Sequence, residues 1–447
     1  MSKVRVRIAP SPTGYFHIGT ARTALFNYLY AKQQGGTFVL RIEDTDKERG
    51  KKEYEDDIYA QMEWLGLSFD EKYVQSEHVG RHKELLKRLV DEDKAYISKE
   101  PRKDDETQTV EVVRLRNPGK VVTFTDVIRG DISFDTTELK DFVLARSIDD
   151  PLYHFAVVVD DGDAGITHVI RGEDHISNTP RQILIQEALG FPRPVYAHLP
   201  LILAPDRTKM SKRKHQTSVK DFRARGYMAE AMVNFMALLG WSEGQGDKEI
   251  YTLEELVNAF SLEGIHKGGA VFNEEKLRWY NREYLLRLPE SEFNARALEA
   301  LKESLSSRVS FNEDMAAKIV PILKERVHIW SDVADAAAEG EYDYYFQAPS
   351  LDAANISDKK STPEETKAHL AHAIEVVNNI PESDFNAEII KAALWDYATE
   401  KGRGAVLWPI RYSLSGREKS PDPFVLSQIL GKREVLNRLH NSVAILG

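Results

Sequence analysis

Hydrophobic and polar positions at the start of the chain follow two alternating periods. Val4, Val6 and Ile8 are separated by basic residues, the period-two pattern of a strand, ending at Ala9. A Pro/Gly segment, Pro10-Ser11-Pro12-Thr13-Gly14, follows. Apolar positions then recur at helical spacing from about Ile18 to Lys32, with Leu25, Tyr28 and Leu29 on one face. Gly35-Gly36 stops this helix, and Phe38 to Ile42 predicts a second strand. Strand, loop, helix and strand form the right-handed βαβ unit that opens a doubly wound sheet. Helical patterns follow at about 53–65 and 79–93. Between 110 and 147 the runs shorten to Val110–Leu115, Val121–Arg129, Ile132–Phe134 and Phe142–Ala145, which predicts a β-rich insertion. The apolar run Phe155-Ala156-Val157-Val158-Val159 within Tyr153–Asp161 predicts a buried strand. Thr167–Arg171 predicts another, and Thr179–Gly190 a helix, so the sheet is expected to be split and then resumed.

Beyond about residue 226 the pattern is mainly helical, with candidates at Ala231–Leu239, Leu253–Phe260 and Glu274–Leu286. An acidic, weakly patterned stretch covers roughly 336–362. Ile389, Ile390, Ala393, Leu394 and Tyr397 predict one helix face, and Leu436, Leu439 and Val443 another. The expected fold class is α/β: a Rossmann-like doubly wound domain split by an α/β insertion, then an all-α C-terminal third.

The 447 residues are 42% hydrophobic and 29% charged, enough for about three domains with their own cores. No apolar run approaches the ~18 residues of a membrane helix. The first eight residues alternate charged with apolar positions, so no signal peptide is expected. With no cysteine, disulfides, thiolate catalysis and sulfur-ligated zinc are excluded, and a cytoplasmic location is expected. The net charge of −11 speaks against a polyanionic partner, but its distribution does not. Residues 1–42 hold six basic side chains and no acid; 206–225 hold eight against two acids; 401–447 hold eight against three. Basic zones on an acidic body suit a polyanion gripped at several places, or solvated faces that cluster by chance.

Two strings carry candidate chemistry. Arg7 to Thr20, RIAPSPTGYFHIGT, spans the end of the first strand and the start of the first helix, where free N–H groups and the positive dipole end favour phosphate. Gly14 and Gly19 allow close backbone approach, and His17 can donate to a phosphate oxygen. Neither a GxxxxGK[ST] nor a GxGxxG motif is present. The second string, Lys209-Met210-Ser211-Lys212-Arg213-Lys214 after Arg207, is dense enough in charge to hold a triphosphate and to neutralise departing pyrophosphate at Lys212. A solvated basic loop is the alternative.

Together these strings resemble the paired signatures of class I aminoacyl-tRNA synthetases, His-Ile-Gly-His and Lys-Met-Ser-Lys-Ser, with Thr20 in place of the final His. Arg41-Ile-Glu-Asp-Thr-Asp46, Tyr153–Asp161, His168–His175, Gly269–Phe272, Lys276–Trp279, Trp408–Arg411 and Gly431–Arg433 extend the likeness, specifically to the bacterial glutamyl-tRNA synthetase family. That resemblance implies a catalytic domain over 1–81 and 146–190, split by an acceptor-end-binding insertion at 82–145. It implies a stem-contact region over 191–300 carrying the Lys-Met-Ser-Lys-Arg loop, and an α-helical anticodon-binding module over 301–447. The implied reaction joins L-glutamate to ATP as glutamyl-adenylate, with tRNA already bound, and then passes it to the terminal adenosine of tRNA(Glu). Charging of tRNA(Gln) as well stays open. A glutaminyl-tRNA synthetase is the further alternative, but its C-terminal β-barrels do not match a helical tail.

By the same resemblance, Arg7, Ala9, Ser11, Glu43, Tyr153 and Arg171 form the glutamate pocket, with Glu43 taking the ammonium. Arginine forks also match the substrate's carboxylates by charge alone. The bland alternative ties those arginines into salt bridges with Glu43, Glu173 or Asp174. Thr13, His17, Lys209 and Lys212 would neutralise the developing charge. ATP is expected at Thr13, His17, Gly19, Asp174, Met210, Ser211 and Lys212. Arg326 and Arg411 are candidates for the anticodon side. Mg²⁺ is expected with ATP, and no zinc, because Tyr96-Ile97-Ser98-Lys99 occupies the region where relatives carry cysteines and a short loop is expected near 100–109. A monomer without membrane attachment is expected.

Overall fold

The computed structural model describes residues 3–46, 48–101, 108–210, 217–244 and 248–447. By its internal contacts the chain divides into two compact units, Met1–Tyr284 and Leu285–Gly447.

In the first unit, strand β1 (Arg5–Ile8) buries Val6 and Ile8 on one face and Arg7 on the other. Helix α1 (Ile18–Gln33) follows and leads to β2 (Thr37–Ile42), parallel to β1 in the register Arg7 to Val39. Helix α2 (Lys52–Trp64) precedes β3 (Glu71–Val74), parallel to β2. Five of the six residues of β2 are buried, as in a parallel sheet covered on both faces. The predicted βαβ unit is therefore present.

The insertion begins after α3 (Val79–Asp91). Strands β4 (Ala95–Pro101), β5 (Thr109–Leu115), β8 (Val143–Ser147) and β9 (Asp150–Pro151) pair antiparallel as one sheet. Of these, β4 carries Tyr96 to Lys99 and had no counterpart among the predicted runs. Most of the loop expected near 100–109 lies outside the described residues. Strands β6 (Val121–Asp126) and β7 (Gly130–Asp135) form a hairpin. Its β6 edge joins the resumed parallel sheet through a single pairing of Asp126 with Tyr196. Leu89, Val113, Phe124, Leu144, Phe155 and Ile183 share one hydrophobic core, so insertion and sheet are packed as one body.

One prediction is overturned here. Tyr153–Asp163 is a helix, α4, not a strand. Every residue from Phe155 to Asp161 is buried, so no polar face marks a helical period, and three consecutive valines mimic a strand. Packing on both sides overrides their β preference. The strand that resumes the sheet is β10 (His168–Gly172). It is laid against β1 by the Thr167 N–H to the Arg5 carbonyl (3.0 Å) and by the Arg5 N–H to Thr167 Oγ1 (2.8 Å). Helix α5 (Thr179–Leu189) and β11 (Val195–Leu199), parallel to β10, complete this half. A short β12 (Ile202–Leu203) leads into the second signature.

From Leu285 on the described residues are helical and connecting segments only, matching the predicted all-α third. The acidic 336–362 stretch contains short helices, among them Asp343–Phe346 and Ala353–Ile356. The helix Ala387–Lys401 buries Ile390, Leu394 and Ala398, so its inward face is rotated from the predicted one, leaving Ile389 and Ala393 exposed. Helix Lys432–Ile445 buries Val435, Leu439 and Ser442, with Leu436 and Val443 at the margin. Among the described residues no helix is long and apolar enough to cross a membrane.

Candidate active site

The carboxyl ends of β1, β2 and β10 open on a cleft of about 420 Å³. Open parallel sheets bind ligands at this edge. Arg7, Ala9 and Ser11 reach it from β1 and the following loop, His17 and Gly19 from the N-terminus of α1, and Glu43 from the end of β2. Tyr153 comes from the N-terminus of α4, Arg171 and Asp174 from β10 and the turn beyond it, and Lys209 and Met210 from the segment after β12. These eleven of the predicted site residues therefore share one space. Thr13 does not line it; its N–H donates to the Ser11 carbonyl (2.8 Å) and shapes the loop. Ser211 and Lys212 lie outside the described residues.

The signature loop is held from several sides. The Glu43 N–H donates to the Pro10 carbonyl (3.1 Å), the Lys51 N–H to Pro12 (3.0 Å), and the Phe16 N–H to the buried Asp57 carboxylate (2.7 Å). His17 caps α1: its Nδ1 accepts from the Gly19 N–H (2.9 Å). An accepting Nδ1 places the proton of the neutral ring on Nε2. A Cβ on Gly19 would stand 3.2 Å from that Nδ1, so a larger residue here would press on the capping ring. The two signatures are also stitched together. The Ile18 N–H donates to the Thr217 carbonyl (2.9 Å) and the Val219 N–H to that of Phe16 (2.9 Å), which anchors the far end of the basic loop on α1. At its near end the Met210 N–H donates to Ile202 (3.2 Å).

The charges do not follow the bland alternative. Glu43 pairs with Arg41 (3.1 Å), Glu173 with Arg129, and Asp174 with Lys209 (3.0 Å). Arg7 instead meets Asp161 (Nε to Oδ1, 3.1 Å), which also holds Arg41 (2.5 Å). Arg7, Arg41, Asp161 and Glu43 are all buried and balance one another in charge. Burial alone would raise Asp161, but the two guanidinium groups hold it below the ordinary aspartate range. At Glu43 burial prevails over Arg41 and Arg7, so its carboxyl sits above its ordinary value. Arg171 differs. It is 6% exposed and, among the described residues, donates only to neutral groups: Nη1 to Gln182 Oε1 (2.7 Å), Nη2 to Thr179 Oγ1 (2.8 Å) and Nε to His198 Nε2 (3.2 Å). Burial, then repulsion from Arg7, lowers its proton affinity. A buried cation without an anion is costly, and its location at a cleft is a demand for an anionic ligand.

Asp161, Arg41 and the neutral ring around Arg171 were not singled out from sequence. Asp161 had a signal: two arginines at adjacent strand ends favour a carboxylate placed between them. Among the described residues no three side chains of metal-binding type are gathered together. In the helical unit, Arg326 lies 3.9 Å from Glu341, while Arg411 donates to the Glu418 carbonyl (2.7 Å) and covers the Trp408 ring. Both arginines border one hollow of about 340 Å³ with Tyr344 and Lys419.

Comparison with known proteins gives the family of the chain. The family described as "tRNA synthetases class I (E and Q), catalytic domain" matches residues 3–108 and 97–279, and "Anticodon binding domain" matches 292–443. The glutamate–tRNA ligase of Geobacter sulfurreducens is 41% identical over 479 residues, covering 100% of both chains. That of Thermodesulfovibrio yellowstonii is 39% identical over 472, covering 98% of this chain and 99% of its own. A solved glutamate–tRNA ligase from Elizabethkingia meningosepticum, in complex with its amino acid, superposes with a TM-score of 0.85 at 33% identity, covering 100% of both chains. With a catalytic match over the first unit, an anticodon-domain match over the second and relatives aligned end to end, the chain belongs to the class I tRNA synthetases, in the glutamate–tRNA ligase family.

Proposed function

We propose that the cleft activates L-glutamate with ATP and that the chain then charges tRNA(Glu). The observation that carries the substrate assignment is Arg171, a buried guanidinium with three neutral partners and, among the described residues, no carboxylate partner. The side-chain carboxylate of glutamate supplies the missing charge. A glutamine amide supplies none and leaves the cation buried unpaired, a defect that can discriminate by about 10⁴. Arg7, with Asp161 behind it, faces the same space, and Glu43 receives the ammonium, whose arrival favours the ionised carboxylate. Ala9, Ser11 and Tyr153 line the pocket.

In the first step a substrate α-carboxylate oxygen attacks the α-phosphorus of ATP in line and pyrophosphate leaves with its magnesium, which enters as part of the nucleotide substrate. The protein positions the reactants and neutralises charge. The Nε2–H of His17 and the N-terminus of α1 serve the phosphates, together with Lys209, Lys212 and Thr13; Gly19, Asp174, Met210 and Ser211 complete the ATP site. The exposed Lys209–Asp174 pair is weak enough to open for a triphosphate. In the second step a ribose hydroxyl of the terminal adenosine attacks the glutamyl carbonyl and AMP leaves. We assign 82–145 to the acceptor end, 191–300 to the stem and 301–447, with Arg326 and Arg411, to the anticodon. We read the chain as acting as a monomer.

The test is ATP–pyrophosphate exchange with glutamate, with and without tRNA, followed by transfer of labelled glutamate to purified tRNA(Glu) and tRNA(Gln). Exchange that requires tRNA, and charging of tRNA(Glu), are expected. Charging of tRNA(Gln) in the same assay would make the enzyme non-discriminating; absence of glutamate-dependent exchange with tRNA present would refute the proposal.

A further inference from the structure

The neutral groups around Arg171 are not equivalent. Gln182 and Thr179 meet its outer nitrogens, whereas His198 meets Nε, the atom that sets the direction of the fork. His198 is fully buried on β11. Its Nε2 can accept the Arg171 Nε–H only if its proton sits on Nδ1. That proton is directed to Asp126 Oδ2 at 2.7 Å. Asp126, also buried, is itself fixed by backbone donors: Oδ1 accepts from Ile128 (3.0 Å) and Arg129 (2.9 Å), and Oδ2 from the His198 N–H (3.0 Å). Asp126 is the one residue through which β6 of the insertion pairs with β11.

We propose that Asp126 and His198 are positioning residues for glutamate specificity: the insertion supplies a carboxylate that fixes the His198 tautomer, and the imidazole in turn aims the Arg171 fork into the cleft while leaving its charge uncompensated. This rests on the assignment of the cleft to glutamate. A carboxylate in the place of His198 would aim the fork equally well but would neutralise it, removing the demand for an acidic substrate. A neutral acceptor aims it without doing so, and neutral imidazole is an acceptor only in the tautomer that Asp126 selects. Protonated His198 would present a donor to a donor. The charged and titratable groups facing His198 are Asp126 and Arg129 from the insertion, Arg171 on β10, His175 in the turn after it and Tyr196 on its own strand. Burial holds its proton affinity below that of an ordinary histidine, with Asp126 opposing and Arg171 assisting.

The experiment measures the KM for glutamate and for ATP in tRNA(Glu) charging, from pH 5 to 8, for the wild type and for His198→Leu, His198→Gln and Asp126→Asn, with denaturant unfolding as a check of folding. His198→Leu and Asp126→Asn are expected to raise the glutamate KM about ten- to a hundredfold, the effect of losing one hydrogen bond to a charged group, and to leave the ATP KM unchanged. His198→Gln, whose amide oxygen can accept the same Nε–H, is expected to stay within severalfold of wild type. The wild-type glutamate KM should rise toward acid pH, and His198→Gln should show a smaller rise, the part due to Glu43. An unchanged glutamate KM in Asp126→Asn, an equal rise of both KM values, or an acid rise in His198→Gln as large as in the wild type would overturn the proposal. Where the Leu and Asn variants do not fold, the paired pH profiles decide. A wild type that does not charge tRNA with glutamate would refute the assignment of the cleft instead.

Discussion

At the scale of single residues, the site is an exercise in charge accounting within a buried volume. Arg7 and Arg41 share Asp161, and Arg171 is left over. Arg171→Ala is expected to lower glutamate kcat/KM by on the order of 10³ while ATP binding, measured by equilibrium dialysis, persists, because truncating one partner of a buried charge pair strands the other. Unchanged glutamate kinetics would remove Arg171 from the pocket. Asp161→Asn leaves two buried guanidinium groups with only Glu43 between them and should destabilise the fold by about 3–5 kcal/mol. The same carboxylate sets a pH limit. Its folded affinity for protons is below that of an unfolded aspartate near 3.9, so its contribution is fully present above that value and is lost as pH falls through the folded one. Denaturant midpoints between pH 2 and 6 should fall on acidification more steeply in the wild type than in Asp161→Asn.

Among the elements, α5 separates a conformational detail at its C-terminal end from the cleft that its first turn serves. The helix carries Thr179 and Gln182, both on Arg171, and ends at Gly190 in the left-handed region (φ +72°) with open space where a Cβ would lie. Gly190→Ala therefore meets no clash, and its cost is backbone strain alone, about 1 kcal/mol. A shift of that size in the unfolding midpoint with unchanged glutamate KM is expected; a change in KM would mean that the helix end helps to place Thr179 or Gln182. Helix α4 carries the other lesson of this scale. Its Phe-Ala-Val-Val-Val run has strand composition and no polar face, and only its place between α3, α5 and the sheet makes it helical. The helical rotation separates neighbouring carboxylates: Asp161 turns to Arg7 and Arg41, and Asp160 to Tyr73, Gln75 and His82.

For the molecule as a whole, the net charge of −11 conceals basic zones at the first signature, the second signature and the C-terminus. If these meet tRNA phosphates, raising salt from 50 to 200 mM should raise the KM for tRNA about tenfold or more through counterion release, with little change in the KM for glutamate. Equal effects on both would point to a general loss of structure. The family assignment holds over the full length, with the catalytic match on the first unit and the anticodon-domain match on the second.

The chain of residues alone determined the βαβ opening, the β-rich insertion, the helical C-terminal third and most of the cleft. Those features are written in local periods, in Pro/Gly loops between elements and in motifs whose spacing survives unfolding. Arg7, His17, Glu43 and Arg171 were legible because charged or glycine-flanked residues at predicted strand and helix ends have few other uses. Tertiary structure alone decided that 153–163 is a helix, that Asp126 of the insertion reaches His198, and that Arg171 is the arginine left without a carboxylate. These depend on which groups meet across as many as 154 positions of sequence, and on which buried charges find partners. Local pattern carries no record of such meetings, because they exist only once the sheet has closed around them.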